Sequence, residues 1–132
     1  MPDDFDPNYH NYVYFGQSVS LAGDELLVGA RLGTSDGQPP QSGAAYLFRY
    51  DPALAIWNQE HKFNAPHGHG QFGHSVALEG GRALIGAPFA LVDFNAWQGR
   101  SYLYERQPDD GWMLAQELVA NDGTAQAQYG FA

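Results

Sequence analysis

Cysteine is absent from the 132 residues, which excludes disulfide staples, thiolate zinc sites and cysteine nucleophiles while leaving the compartment open. Basic residues are scarce: six Lys plus Arg stand against fifteen Asp plus Glu, the formal charge is −9, and Lys62 is the single lysine. Without a basic stripe to neutralise phosphates, nucleic acid and anionic membrane surfaces are poor partners. Long apolar runs are missing too. Stretches such as Leu26-Leu27-Val28 are a few residues long, whereas a bilayer-spanning helix needs roughly 20, so no membrane insertion is expected. The opening Met1-Pro2-Asp3-Asp4-Phe5-Asp6 is acidic where a secretory signal carries positive charge followed by an apolar core, so no signal peptide of that kind is visible.

What is present is 44% apolar residues, 14% aromatics, sixteen Gly and eight Pro. That composition is globular rather than disordered. No long apolar stripe follows the helical period, and the glycines and prolines punctuate short segments, so the class is all-β.

A repeat organises the chain. Phe15-Gly16 recurs 57 residues later as Phe72-Gly73 and 57 further on as Tyr129-Gly130. Between these anchors Gln17-Ser18-Val19-Ser20-Leu21 lies over His74-Ser75-Val76-Ala77-Leu78, and Leu27-Val28-Gly29-Ala30 over Leu84-Ile85-Gly86-Ala87. After a one-residue deletion in a loop, Gly43-Ala44-Ala45-Tyr46-Leu47-Phe48 answers Gly99-Arg100-Ser101-Tyr102-Leu103-Tyr104, and Trp57 answers Trp112. Each copy carries four strand candidates. In the first, Val19 and Leu21 alternate with Ser18 and Ser20, the period-2 pattern of a strand with unlike faces. The second, Leu26-Leu27-Val28 or Ala83-Leu84-Ile85, is continuously apolar, as expected of a strand covered on both faces. Gly23-Asp24 and Gly80-Gly81 join first to second as tight hairpin turns. The third strand, residues 45–49 or 101–105, carries aromatics, and the fourth follows the tryptophan. Repeated four-stranded sheets, apolar on both faces, are the units of a β-propeller, and the chain holds about two full blades of antiparallel strands, a partial propeller.

These residues resemble the FG-GAP repeat of integrin-type β-propellers. Phe72-Gly73 and Gly86-Ala87-Pro88 are the motif letters, while the first copy reads Phe15-Gly16 and Gly29-Ala30-Arg31. The resemblance divides the chain into residues 1–13 as the tail of a preceding repeat or an N-terminal extension, 14–70 as one blade, 71–128 as a second and 129–132 as the start of a third. Propellers close with about four blades or more, so the chain is expected to be part of a longer propeller, with self-association into a larger assembly as the second possibility.

Repeats of this family often bind calcium through an Asp-rich loop between the Phe-Gly and Gly-Ala-Pro strands. Calcium takes six to eight oxygens, and the tight turns at Gly23-Asp24 and Gly80-Gly81 do not supply them. Calcium is disfavoured and no cofactor is expected. His67 and His69, with His74 beyond, are weak metal candidates, since a metal site needs three or four converging ligands. Trp97 in a loop that does not recur is the best single contact residue for a ligand, with Asp93 and Asn95 beside it and Asp36 in the equivalent loop of the first copy. Asp36-Gly37 also suits a turn whose carboxylate bonds to nearby backbone. Neither a Gly-x-Ser-x-Gly elbow nor a convincing carboxylate pair is present, so an enzyme is not expected.

The resemblance implies a non-enzymatic binding or scaffold module of a surface or secreted protein, extracellular, recognising protein or glycan in an adhesion-like role through residues 32–42 and 89–98. The alternative is an accessory segment of a secreted hydrolase whose catalytic site lies outside the chain.

Overall fold

The computed structural model describes residues 14–132 apart from residues 40, 69, 91, 93–96, 122–123, 125 and 129. Among the described residues eight strands form two four-stranded antiparallel meanders, and there is no helix. The first sheet comprises β1 (Phe15–Ala22), β2 (Glu25–Ala30), β3 (Ala44–Asp51) and β4 (Ile56–Asn64) in sequential order. The second repeats it with β5 (Ser75–Glu79), β6 (Arg82–Ala87), β7 (Arg100–Arg106) and β8 (Trp112–Leu118). Both tryptophans lie within their fourth strands rather than ahead of them. The sheets are two propeller-type blades.

Turn chemistry sets the strand order. Ala22 pairs with Glu25 and Glu79 with Arg82, leaving two-residue loops. Gly23 has φ +60°, and Gly80 and Gly81 have +48° and +79°, the left-handed region that hairpin loops of this length require and glycine enters without penalty. Each β3–β4 and β7–β8 pair carries an irregularity, after Leu47 and after Leu103. A bulge there switches which side chains of the outer strand face the neighbouring sheet.

Register determines the two faces, because directly paired residues point to the same side. In the first blade the rows Val19-Val28-Tyr46 and Leu21-Leu26-Phe48 occupy one face, and Ser20-Leu27-Leu47 the other. In the second blade Val76-Ile85-Tyr102 and Leu78-Ala83-Tyr104 oppose Ala77-Leu84-Leu103. The core lies between the sheets: Leu27, Leu47 and Phe63 of one meet Phe72, Ile85, Tyr102 and Tyr104 of the other. The rings of Phe63 and Tyr104 are 4.9 Å apart and those of Phe63 and Trp112 5.3 Å apart, within the range of favourable tilted and edge contacts. Burying each such side chain contributes roughly 1.5–3 kcal/mol.

The alternation in β1 has an outcome that the sequence does not announce. Its serines, not its valine and leucine, face the second blade, where Ser18 Oγ donates to Gly73 O at 3.0 Å and Ser20 Oγ accepts from Leu78 N at 3.0 Å. Val19 and Leu21 remain 60% and 66% exposed on the outer face. Their counterparts Val76 and Leu78 are partly buried and pack against the core. Leu84, on the side of β6 away from the first blade, is likewise exposed, whereas its counterpart Leu27 is fully buried.

The Phe-Gly junction is the most regular feature of the repeat. Gly16, Gly73 and Gly130 have φ of +87°, +90° and +89°, and the residues two before them, Tyr14, Gln71 and Gln128, have +51°, +56° and +54°. A non-glycine residue in this region costs roughly 1–2 kcal/mol, and at each junction the turn is closed by a backbone bond: Gln17 N to Tyr14 O, His74 N to Gln71 O and Phe131 N to Gln128 O. At the second junction Phe72 bridges Gly43 of the first blade, and Phe72 N donates to Ser42 O. The opening of the second blade is thus built onto the first.

Candidate functional site

Each meander places its β2–β3 or β6–β7 loop and the β4–β5 connection at one end, and the tight hairpins at the other. The loop end is fastened to its own blade. Ser35, fully buried, donates from Oγ to Gly43 O and accepts from Ala65 N at 2.6 Å. Gln38 Nε2 donates to Pro66 O at 3.3 Å, tying the loop to the blade connection.

Asp36 is held in this frame. Its backbone N donates to Asn64 Oδ1 at 2.9 Å, and its carboxylate is 3.6 Å from Lys62 Nζ and 3.5 Å from Asn64 Nδ2. The side chain is 79% exposed, so the turn role and surface availability coexist. Lys62 in turn lies 5.7 Å over the Tyr46 ring. Trp97 is 48% exposed, adopts φ +61°, and packs edge-on against Phe89 with ring centres 5.7 Å apart. Gln41, its structural counterpart, has φ +64°, so the deletion between copies leaves the backbone path into the third strand unchanged. Asp93, Asn95 and His69 lie outside the described residues.

His67 is engaged across the blades. Its Nε2 is 3.1 Å from Glu117 Oε1 on β8, whose other oxygen accepts from Arg100 Nη1 at 2.7 Å. The arginine competes with any cation for that carboxylate, and no group of three His, Cys, Asp or Glu suited to a metal occurs among the described residues. Asp24, the acid in the place of the family's calcium loop, pairs with Arg49 at 3.6 Å.

Three interactions that sequence inspection passes over hold the blades together or shape their ends. Arg106 donates through Nη2 to Glu25 of the other blade while its guanidinium lies 4.8 Å over the Trp112 ring. Arg49 links Glu25 to Glu60, 3.1 Å from its Nε; this hydrogen bond and the surrounding acids raise its pKa further above the ordinary value. Ser18 and Ser75 recur at the repeat spacing, and that recurrence was the available signal for their shared role: Ser75 Oγ donates to Gly130 O at 2.8 Å as Ser18 does to Gly73 O. At the hairpin end an open depression of about 400 Å³ is lined by Arg49, Tyr50, Asp51 and Pro52 with Asn58, Gln59 and Glu60. Its one basic group is already engaged by Glu60, Glu25 and Asp24.

Two imidazoles, His74 buried and His61 half-buried, carry a pH dependence. Burial lowers the pKa of His74 against the opposing effect of its bond to Phe131 O, and Arg31 lowers it further. Burial likewise lowers that of His61, opposed by neighbouring Glu60. A folded-state pKa below the unfolded value means that the unfolded chain takes up the proton first, so these groups withdraw stability as pH falls through and below about 6.5. Thermal midpoints should therefore drop from pH 7.5 to 5.5. His74→Gln, the residue at the equivalent position 17, should flatten that dependence; an unchanged slope would remove His74 from the account.

Sheets of this topology, repeated at a fixed spacing, define a β-propeller-type repeat. Residues 7–48 match the family model of the FG-GAP repeat. Residues 7–48 thus carry an FG-GAP repeat, and the second sheet repeats the motif letters at Phe72-Gly73 and Gly86-Ala87-Pro88. No curated protein matches the chain. Modules of this family are typically non-catalytic. Among the described residues, no helix is long and apolar enough to cross a membrane.

Proposed function

We propose that the chain is a non-enzymatic binding or scaffold module that presents its loop end to a protein or glycan ligand, in an adhesion-like role on a cell surface or a secreted protein. One contrast supports this assignment. Residues that recur between the copies are used in packing, Tyr46 and Tyr102 being the largest buried side chains, while the loops after β2 and β6 differ in sequence and expose Asp36 and Trp97. A half-exposed tryptophan packed edge-on against Phe89 is a suitable contact residue for a sugar face or an apolar side chain.

The test is binding of the folded chain to immobilised glycans and to purified extracellular-matrix proteins, compared with Trp97→Ala and Asp36→Ala. The expected result is a ligand whose affinity falls at least tenfold in Trp97→Ala, with an unchanged circular dichroism spectrum. A ligand bound equally well after residues 32–42 and 89–98 are exchanged for unrelated loops would show that the loop end is not the binding surface.

A further inference from the structure

The basic residues are few, and nearly all are matched. Arg49, Lys62, Arg82, Arg100 and Arg106 each stand within 4 Å of a carboxylate. Arg31, the first residue after β2, has no such partner among the described residues, although acids outnumber bases fifteen to six. Its guanidinium lies 4.4 Å over the Tyr14 ring. Of its three nitrogens only Nε is enclosed, and it meets no acceptor. The residue as a whole is partly exposed, so the outer edge of the guanidinium, Nη1 and Nη2, reaches the surface with donors that no group of the described residues accepts.

The second copy shows what this position does when packing alone is served. The counterpart there is Pro88, fully buried. In the first copy the same place, at the start of the β2–β3 loop, holds a cation whose inner nitrogen is covered without a hydrogen bond, an arrangement that costs stability and that packing does not explain. Its charge is felt nearby. Arg31 contributes to the lowered pKa of His74 in the junction of the second blade.

We propose that the Nη1–Nη2 edge of Arg31 binds the carboxylate of an aspartate or glutamate side chain on a protein partner. A planar guanidinium and a carboxylate match through two parallel charge-assisted hydrogen bonds. The Tyr14 ring holds the plane of the guanidinium before the acid arrives. One cation accommodates one carboxylate. A glycan bearing an acid on every sugar needs a row of cations, which a chain of net charge −9 with its other bases paired does not provide. The inference rests on the reading of the loop end as the recognition surface, and it narrows that reading to a protein presenting an isolated acid.

Titration of the chain with N-acetyl-aspartate N-methylamide, followed by NMR at the Nε–H resonance of Arg31, tests it. A saturable shift is expected, with none from the matching asparagine derivative. Arg31→Gln should weaken the response at least tenfold with an unchanged circular dichroism spectrum. Arg31→Lys, which keeps the charge, should also weaken it, because an ammonium lacks the planar fork. No response in the parent chain, an equal response of the backbone amides in Arg31→Gln, or a response to oligogalacturonate without one to the aspartate derivative would overturn the proposal. The loop-end reading is judged apart from it: a loop-end ligand lost in Trp97→Ala but kept in Arg31→Gln would remove the carboxylate site and leave that reading standing.

Discussion

Gly29→Ala should destabilise the protein by about 3 kcal/mol or more, at the upper end of overpacking costs, and leave little folded chain at 37 °C. A Cβ at Gly29 would overlap the carbonyl oxygen of Gly73 and the Oγ of Ser18. The first is backbone and sits at the centre of the blade contact, where Gly73 N donates to Gly86 O and Gly73 O accepts from Ser18. Gly86→Ala is the matched control. The same atom there overlaps Gly130 O and Ser75 Oγ, in a segment attached through Ser75 Oγ and His74 Nδ1, so the cost should be nearer 1 kcal/mol, the scale of one lost hydrogen bond. Urea unfolding of both variants checks the contrast. Equal losses would show that residues 130–132 are held as firmly as the blade contact itself.

Phe72→Ala should cost about 3–5 kcal/mol, as expected for deleting a buried aromatic ring. Phe72 is 1% exposed, with its ring 5.4 Å from Tyr102 and 6.3 Å from Tyr104. Phe15 makes the equivalent contacts, 5.6 Å to Tyr46 and 6.1 Å to Phe48, but is 39% exposed. Phe15→Ala should therefore cost about 1 kcal/mol, since much of its ring already meets water. Thermal unfolding distinguishes the two, and a loss at Phe15 as large as that at Phe72 would mean that another surface covers it in solution.

Much of the fold was legible because the repeat compares each strand with its own copy. The apolar β2, the glycine turns and the aromatic β3 each appear twice in register, and local pattern and repeat agree. The direction of β1 was not legible. Alternation divides Ser18 and Ser20 from Val19 and Leu21, but it does not say which side meets the next blade. The answer comes from the hydroxyls, which bond to Gly73 O and Leu78 N across the contact. The difference between Trp57 and Trp112 was equally hidden. The residues recur, yet Trp112 packs against the core while Trp57 remains 41% exposed beside Tyr50.

Of the candidate site, Asp36 and Trp97 were found from turn chemistry and from failure to recur, both local signals. The attachment of His67 to Glu117 joins residues fifty positions apart, and nothing in the neighbourhood of either announces it. His74 was read as a member of a histidine cluster, whereas its ring packs on Phe131. The position aligns with Gln17 in the first copy and Phe131 in the third, and a site that accepts glutamine, histidine and phenylalanine gives little warning of what it contacts.

The junction at Phe72 separates two units that repeat proteins are often assumed to share. By sequence the copies abut just before Phe72-Gly73, but the bridge to Gly43 and the bond from Phe72 N to Ser42 O graft those residues onto the preceding sheet. The length of chain that duplicates is therefore offset from the length that folds. A graft of one blade into another array should be cut beyond His74, so that the donor array supplies its own Phe-Gly clasp; a cut at the sequence boundary would leave one clasp orphaned and the adjoining one duplicated.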